Sequence, residues 1–216
     1  MPIAVKICGL TSAAAIDAAI GAGAVYGGLN FHPNSPRFVA LEQARMLADR
    51  MRGRLKIAAV FADLDDARIG EIVKTVQPDF LQPHGQETAQ RTGEIRGRFG
   101  LPVIKALPVA EPSDLDLVAA YEANADMLLF DARPPKGAQR GGGHGTAFDW
   151  KILPGRHFSR PWFLAGGLTP DNVARAIALS GAQMVDASSG VESAPGVKDA
   201  AKIAAFIDAT RMPISA

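Results

Sequence analysis

The chain has very little cysteine, since Cys8 is the only one among its 216 residues. A disulfide needs two cysteines and a cysteine-rich zinc site needs several, so the sequence excludes both within one chain. This usage fits a reducing compartment. The single thiol therefore needs an explanation of its own, from the residues that surround it.

An excess of either charge is also missing. The chain has 23 lysine and arginine residues and 22 aspartate and glutamate residues, which gives a formal net charge of +1. So small a charge creates no general field that would attract nucleic acid or an anionic membrane surface. We therefore expect no nucleic-acid partner, and any anionic ligand must be bound by local groups.

Long hydrophobic runs are absent as well. The N-terminal segment MPIAVKICGL lacks the basic and then apolar layout of a signal peptide. Every apolar run is far shorter than the roughly 18–20 residues that a membrane span requires. We expect a soluble cytoplasmic protein, and its 48% of hydrophobic residues is enough to form a full core.

Short apolar runs rich in β-forming residues recur eight times, and most are followed by an alanine-rich stretch with helical periodicity. The predicted strands are Ile3–Ile7, Val25–Phe31, Leu55–Phe61, Asp79–Gln82, Pro102–Leu107, Asp126–Phe130, Trp162–Ala165 and Gln183–Asp186. The predicted helices are Ser12–Gly21, Leu41–Arg52, Asp65–Val76, Glu87–Arg98, Ser113–Glu122, Asp171–Leu179 and Val197–Ala209, with Asp149–Leu153 as a short candidate after the sixth strand.

This alternation predicts an α/β fold with a parallel sheet. No linker, charge block or low-complexity tract divides the series, so we expect one domain over residues 1–216. Eight βα units in a chain of this length favour a closed (β/α)₈ TIM barrel, because a barrel has no edge strand to protect. An open doubly wound sheet is the alternative. In a barrel, functional residues gather at the carboxyl ends of the strands.

Cys8 follows the first predicted strand, and strand alternation places Lys6 on the same inward face. A lysine ammonium near a thiol favours the thiolate, which can remove a proton. The alternatives are that Cys8 is a small buried hydrophobe and that Lys6 pairs with Asp186 on the eighth strand. The lysine can have both partners.

Asp131 ends the sixth predicted strand, directly after an apolar run. In the strand order 1-8-7-6 it lies part-way around the barrel mouth from Cys8. A carboxyl group that is partly shielded by apolar neighbours can stay protonated and act as a general acid. A carboxylate that only caps the loop is the alternative. A thiolate and a carboxylic acid facing each other would form an acid–base pair.

Three loops rich in glycine and serine would meet at one corner of the barrel. The first lies within residues 131–147 and contains GGGHG, the second is Ala165–Leu168, and the third is Ser188–Val191. Loops after the seventh and eighth strands of barrels commonly bind phosphate through backbone amides. These loops predict a phosphorylated ligand, although turn geometry alone would also account for any one glycine.

Two further polar residues follow the second and fourth strands. Arg37 presents a guanidinium that suits bidentate binding of a carboxylate, although it could also be a solvated surface residue. His84 could hydrogen-bond substrate or support its own loop. Neither Cys8 nor the other histidines have the spacing of metal ligands, so we expect no metal.

Taken together and in order, several segments resemble the phosphoribosylanthranilate isomerase family, which are (β/α)₈ enzymes of tryptophan biosynthesis. The segments are Lys6–Thr11, Asn34–Arg37, Leu81–Gly85, Leu128–Asp131, Gly142–Gly145 with Phe148–Trp150, Leu164–Pro170 and Val185–Glu192. They cover nearly the whole chain. The residues that depart from the usual family pattern are Pro83, Ala132 and His144.

The resemblance implies that the substrate is N-(5-phosphoribosyl)anthranilate. It implies an Amadori rearrangement, an aldose–ketose isomerisation, to 1-(2-carboxyphenylamino)-1-deoxyribulose 5-phosphate without a cofactor or metal. Cys8 corresponds to the general base and Asp131 to the general acid. Arg37 would hold the anthranilate carboxylate, and we expect Lys6, His84 and Asp186 to line the same site. The phosphate would be surrounded by Gly143, Gly145, Gly166, Gly167, Ser188, Ser189 and Gly190.

Three other functions compete with this interpretation. One is an epimerase or a ketose-forming isomerase of a different sugar phosphate, which would commonly need a metal or paired aspartates. The second is a non-catalytic barrel that binds a phosphorylated metabolite. The third is a redox sensor at Cys8, although the sequence has no resolving cysteine. The sequence allows a monomer or a homodimer.

Overall fold

A computed structural model describes residues 2–133 and 147–211, and eight parallel strands form its centre. The strands are β1 (Ala4–Cys8), β2 (Tyr26–Asn30), β3 (Lys56–Phe61), β4 (Phe80–Pro83), β5 (Ile104–Val109), β6 (Met127–Ala132), β7 (Trp162–Leu164) and β8 (Met184–Ala187). Their order is 4-3-2-1-8-7-6-5. A parallel bridge between Leu81 and Val103 brings β4 against β5, so the sheet closes on itself. The predicted TIM barrel is confirmed.

Helices cover the outside of the sheet. They are α1 (Ala13–Ala22), α2 (Leu41–Met51), α3 (Asp66–Val76), α4 (Ala89–Phe99), α5 (Val118–Glu122), α6 (Val173–Ser180) and α7 (Ala200–Ala209). Short 3-10 helices are Pro112–Leu117, Trp150–Ile152 and Ser189–Val191. The side chain of Ser12 accepts a hydrogen bond from the Ala15 amide and so caps the N-terminus of α1.

Several predicted helix boundaries differ from those of the structure. The segment predicted as one helix over Ser113–Glu122 is a 3-10 helix followed by α5. The sixth helix starts at Val173, because Asn172 accepts from the Thr169 amide and keeps the preceding residues in a turn. Two residues predicted to open the last helix instead form β10 (Val197–Lys198), which pairs with β9 (Glu192–Ala194) in a hairpin.

Side chains of each strand alternate between two environments. The outward face packs against the helices and contains Val5 and Ile7 of β1. The inward face forms a separate apolar cluster that includes Ile104, Leu129 and Phe163. Towards the carboxyl ends of several strands the inward residues become polar. The polar inward residues are Cys8, Gln82, Asp131 and Asp186, with Lys6 one step below Cys8.

Within residues 2–133 and 147–211, none of the helices combines the length and apolar character needed to cross a bilayer.

Candidate active site

Cys8 is the last residue of β1, and its side chain faces inward beside Gly28 of β2. A Cβ atom added to Gly28 would lie 2.9 Å from the Cys8 Sγ and 3.4 Å from the Lys6 Nζ. The thiol and the ammonium therefore converge on one point, where the glycine leaves room for both. This arrangement confirms the predicted proximity of Lys6 and Cys8 inside the barrel.

The ammonium of Lys6 is fully buried and donates to Asp186 of β8 over 3.0 Å. The predicted ion pair is thus present, because β1 and β8 are neighbours and Lys6 lies directly opposite Asp186. Burial alone would lower the pKa of Lys6, but the negative charges of Asp186 and of an ionised Cys8 outweigh it and raise the pKa. Lys6 therefore remains an ammonium.

The pKa of Cys8 is set by two opposing effects. Burial raises the pKa of the thiol above its ordinary value, because it disfavours the charged thiolate. The positive charges of Lys6 and Lys198 lower the pKa but do not reverse the shift. The sequence predicted the effect of Lys6, which lowers the pKa, but not the larger effect of burial. A thiolate with a raised pKa is a stronger base once it has formed.

Lys198 of the β9–β10 hairpin is a site residue that the sequence analysis missed. Its buried ammonium donates to Glu192 over 2.6 Å and to the Ser188 carbonyl over 3.1 Å. The hydroxyl of Ser188 in turn donates to the Cys8 carbonyl over 3.1 Å. These bonds join the loop after β8 to the end of β1. Recognition of the hairpin would have been needed to find Lys198, because the periodicity predicted helix there.

Arg37 lies after β2 and pairs with Glu192 through one edge of its guanidinium. The Nε donates to Oε1 over 2.7 Å and the Nη2 donates to Oε2 over 2.8 Å. Burial raises the pKa of Glu192, but the bonds from Arg37 and Lys198 outweigh it and lower the pKa. The alternative of a solvated surface position for Arg37 does not hold, since the residue is only 8% exposed.

The second edge of the same guanidinium is not used by the described residues. Its Nη1 makes no hydrogen bond within residues 2–133 and 147–211. Glu192 therefore fixes the orientation of Arg37. The end-on edge of the guanidinium, formed by Nη1 and Nη2, is left for a second carboxylate. Gly9 contributes space, because a Cβ there would lie 2.5 Å from the Arg37 Cδ and its φ of +74° suits glycine.

Asp131 faces inward from β6, and its Oδ2 lies 3.0 Å from the His84 Nε2. Its Oδ1 accepts from the Ala132 amide over 2.9 Å. The side chains of Asp131 and His84 are 14% and 23% exposed, so this group is less buried than the one around Cys8. No hydrogen bond among the described residues connects the two groups. Direct contact of His84 with substrate stays a prediction.

The other ring nitrogen of His84 also has a partner. Its Nδ1 lies 3.2 Å from the Nε2 of Gln82, a fully buried residue of β4. Beside them, Lys105 of β5 forms a buried ion pair with Glu87 over 2.9 Å. Sequence analysis missed Gln82 and Lys105, because one polar residue in an apolar run gives no periodic signal. It also missed Glu87, which lies in a polar stretch between β4 and α4.

The glycines after β7 and β8 have clear conformational and packing roles. Gly166 and Gly167 adopt φ values of +82° and +65°, which favour glycine. A Cβ on Gly190 would lie 1.9 Å from the Leu168 carbonyl oxygen, so the two loops pack without a side chain between them. Ser188 and Ser189 lie in the same corner. Gly143 and Gly145 lie outside the described residues.

The described residues contain no group of three His, Cys, Asp or Glu side chains that could hold a metal ion.

Comparison with known proteins identifies a family whose sequences this chain matches over nearly its whole length. The family model described as N-(5'phosphoribosyl)anthranilate (PRA) isomerase matches residues 5–209. The N-(5'-phosphoribosyl)anthranilate isomerase of Paramagnetospirillum magneticum is 53% identical over 211 residues, which are 98% of each chain.

Solved structures agree with the sequence comparison. The phosphoribosyl anthranilate isomerase of Thermotoga maritima superposes with a TM-score of 0.87 at 34% identity, over 97% of this chain and 98% of that one. A second structure with the same coverages has a TM-score of 0.84 at 32% identity. It is a phosphoribosyl anthranilate isomerase in complex with reduced 1-(o-carboxyphenylamino)-1-deoxyribulose 5-phosphate.

Proposed function

Because the chain belongs to the N-(5'-phosphoribosyl)anthranilate isomerase family and performs this isomerisation in tryptophan biosynthesis, we propose that Cys8 is its general base and Asp131 its general acid. One observation carries the assignment. Both side chains face inward at the carboxyl ends of their strands, at the end of the barrel where such folds carry out their chemistry. A barrel of this kind places them on opposite parts of one mouth.

Asp131 would act in the first step. Its carboxylic acid donates a proton to the ring oxygen of the sugar, the bond between C1 and that oxygen breaks, and the anthranilate nitrogen forms an iminium with C1. The Ala132 amide and the His84 ring then stabilise the carboxylate that remains, because both contact its oxygens.

Cys8 would act in the second step. Its thiolate removes the proton from C2, and the electron pair of that bond forms the enolamine while neutralising the iminium nitrogen. The enolamine then tautomerises to the ketone product. The buried Lys6 ammonium supports this step, since it stabilises the thiolate in a site where water is largely excluded.

Two groups would hold the ends of the substrate. Arg37 binds the anthranilate carboxylate through its end-on edge, while Glu192 holds the other edge. The loops containing Gly166, Gly167 and Ser188–Gly190 bind the phosphate with backbone amides, and Gly143 and Gly145 are proposed from the sequence to complete this site. With both ends held, C1 and C2 lie between acid and base.

Substitution of the two residues tests the assignment. We expect Cys8→Ala and Asp131→Asn each to lower kcat by roughly 10²–10⁴-fold with a much smaller change in KM, because each removes a proton-transfer group. The assay is the fluorescence decay of freshly generated phosphoribosylanthranilate with purified, EDTA-treated enzyme. Asp208→Asn is the matched control, since Asp208 is an exposed carboxylate in the last turn of α7 that pairs with Arg211 and should leave kcat unchanged.

The competing interpretations of the site give different results. Unchanged turnover in both variants would contradict the proposed acid–base pair. Loss of wild-type activity on treatment with EDTA would favour metal-dependent chemistry of the epimerase kind. A cytoplasmic location and a monomeric or homodimeric state stay predictions, and light scattering of the purified protein measures the latter.

A further inference from the structure

Three polar side chains form a hydrogen-bonded chain beside the proposed acid. The Nε2 of Gln82 lies 3.2 Å from the Nδ1 of His84, and the Nε2 of His84 lies 3.0 Å from the Oδ2 of Asp131. Gln82 and Asp131 belong to β4 and β6, and His84 directly follows β4. These hydrogen bonds therefore connect a buried residue of the barrel wall to the carboxyl group at the mouth of the barrel.

The chemistry of the amide sets the direction of these bonds. In this structure the Nε2 of Gln82 faces the ring, and because a glutamine Nε2 only donates, the Nδ1 of His84 accepts in this orientation of the amide and carries no proton. A neutral imidazole with a bare Nδ1 carries its proton on Nε2. That proton then points at Asp131 and is donated to its Oδ2.

The surroundings of Gln82 argue against a purely structural role, because a buried glutamine at this position lowers the stability of the fold. Its side chain is fully buried, and its Oε1 has no hydrogen-bond partner within residues 2–133 and 147–211. A buried acceptor without a partner destabilises a fold, and an apolar side chain of similar size would avoid that cost. The contact with His84 is what a glutamine supplies here and an apolar residue would not.

The backbone around His84 is fixed on both sides. The ammonium of Lys105 donates to the Gly85 carbonyl over 3.0 Å and lies 3.4 Å from the Pro83 carbonyl. The Gly85 amide donates to Glu87 over 2.8 Å. With its backbone held and both ring nitrogens engaged, the imidazole has one orientation.

We propose that Gln82 is a positioning residue that holds His84 as the Nε2–H tautomer, so that His84 donates to Asp131 throughout the reaction. The proposal rests on the assignment of Asp131 as the general acid. When Asp131 gives its proton to the sugar ring oxygen, the bond from His84 becomes charge-assisted and stabilises the carboxylate. The other tautomer would present a lone pair to Asp131 and compete with the substrate for its proton.

Nuclear magnetic resonance of the wild-type enzyme tests the tautomer without any assay of activity. Two-dimensional ¹H–¹⁵N spectra of the imidazole nitrogens distinguish a protonated from an unprotonated Nδ1, and His84→Gln identifies the signals of His84 among the four histidines. We expect an unprotonated Nδ1 and a protonated Nε2 at neutral pH. A proton on the Nδ1 of His84, in either the neutral or the charged ring, overturns the proposal.

Two substitutions test the part played by Gln82. Gln82→Met removes the donor and should give a mixture of tautomers, and Gln82→Glu should place a proton on Nδ1, because a carboxylate accepts from it. We expect kcat to fall about 10-fold in the first variant and further in the second, with KM within about twofold of wild type. Gln90→Met replaces an exposed glutamine of α4 and should change neither the spectrum nor kcat.

The outcomes separate this proposal from the assignment of the acid. If Gln82→Met leaves the His84 spectrum as in wild type, Gln82 does not set the tautomer and the proposal fails. If the spectra change as expected but Asp131→Asn keeps full activity, the assignment of Asp131 fails while the link between Gln82 and His84 stands. Circular dichroism spectra identical to wild type show that the variants fold.

Discussion

Two buried lysine–carboxylate pairs in this barrel have nearly the same geometry but different positions. Lys6 and Asp186 lie inside the barrel and are 3.0 Å apart, and Lys105 and Glu87 lie between the sheet and the helices and are 2.9 Å apart. Both lysine side chains are almost completely inaccessible to solvent. Burial and pairing alone therefore do not distinguish the lysine that we propose assists catalysis from one that only stabilises the fold.

The shifts in pKa distinguish the two lysines. Burial lowers both values, but the pKa of Lys6 is raised overall because Asp186 and Cys8 both act on it. The pKa of Lys105 is lowered overall, because Glu87 and Asp63 do not fully offset the burial. The inner pair, Lys6 and Asp186, has the thiol of Cys8 beside it, whereas the outer pair, Lys105 and Glu87, does not. Substitution of the inner lysine should therefore affect the reaction, and substitution of the outer lysine should mainly affect stability.

The largest effect is expected at the inner lysine. Lys6→Met should lower kcat by roughly 10²-fold or more, because a buried thiolate without a nearby cation is strongly disfavoured. Since the substitution also leaves Asp186 buried without its partner, the double variant Lys6→Met/Asp186→Asn is the control. It should recover stability to urea without recovering kcat. If the double variant recovered both its stability to urea and its kcat, Lys6 would act only by stabilising the fold.

The outer lysine should affect stability first. Lys105→Met leaves Glu87 buried without its cation, and we expect the free energy of unfolding to fall by about 3–5 kcal/mol. Urea unfolding measures it, and Lys105→Met/Glu87→Gln should recover most of the loss. A loss of kcat as large as that of Lys6→Met, with stability unchanged, would contradict the distinction between the pairs.

A smaller effect is expected at Glu192, which orients Arg37. Glu192→Gln keeps the size of the side chain but removes its charge, so the guanidinium loses its fixed orientation. We expect KM to rise about 10-fold, which corresponds to about 1.4 kcal/mol, with a smaller change in kcat. Steady-state kinetics measures both. A change in kcat alone would show that Glu192 acts on the chemical step.

The sequence predicted the parts of the molecule that local patterns determine. The eight strands, the strand order around β1 and the inward direction of Lys6 and Cys8 follow from alternation and from the spacing of βα units. The ion pair between Lys6 and Asp186 followed from the same reasoning, because β1 and β8 must be neighbours in a closed barrel.

Contacts between segments far apart in the chain were not predictable in this way. Glu192 reaches Arg37 across 155 positions, and its hairpin replaced the predicted start of a helix. Strand alternation also shows which charge lies near Cys8 but not how much solvent is excluded, so the direction of its pKa shift could not be predicted from the sequence. Pairings of this kind depend on the complete three-dimensional arrangement.

The pH dependence of kcat/KM in the wild type and in Lys6→Met tests most directly whether Cys8, assisted by Lys6, removes the proton. The active enzyme needs the thiolate of Cys8 together with the carboxylic acid of Asp131, so kcat/KM should depend on pH as a bell-shaped curve with one limb set by each group. Because the Lys6 charge lowers the pKa of Cys8, its loss should move the limb set by the thiol to higher pH. A profile with no limb set by the thiol, or one whose two limbs Lys6→Met leaves in place, would contradict the account.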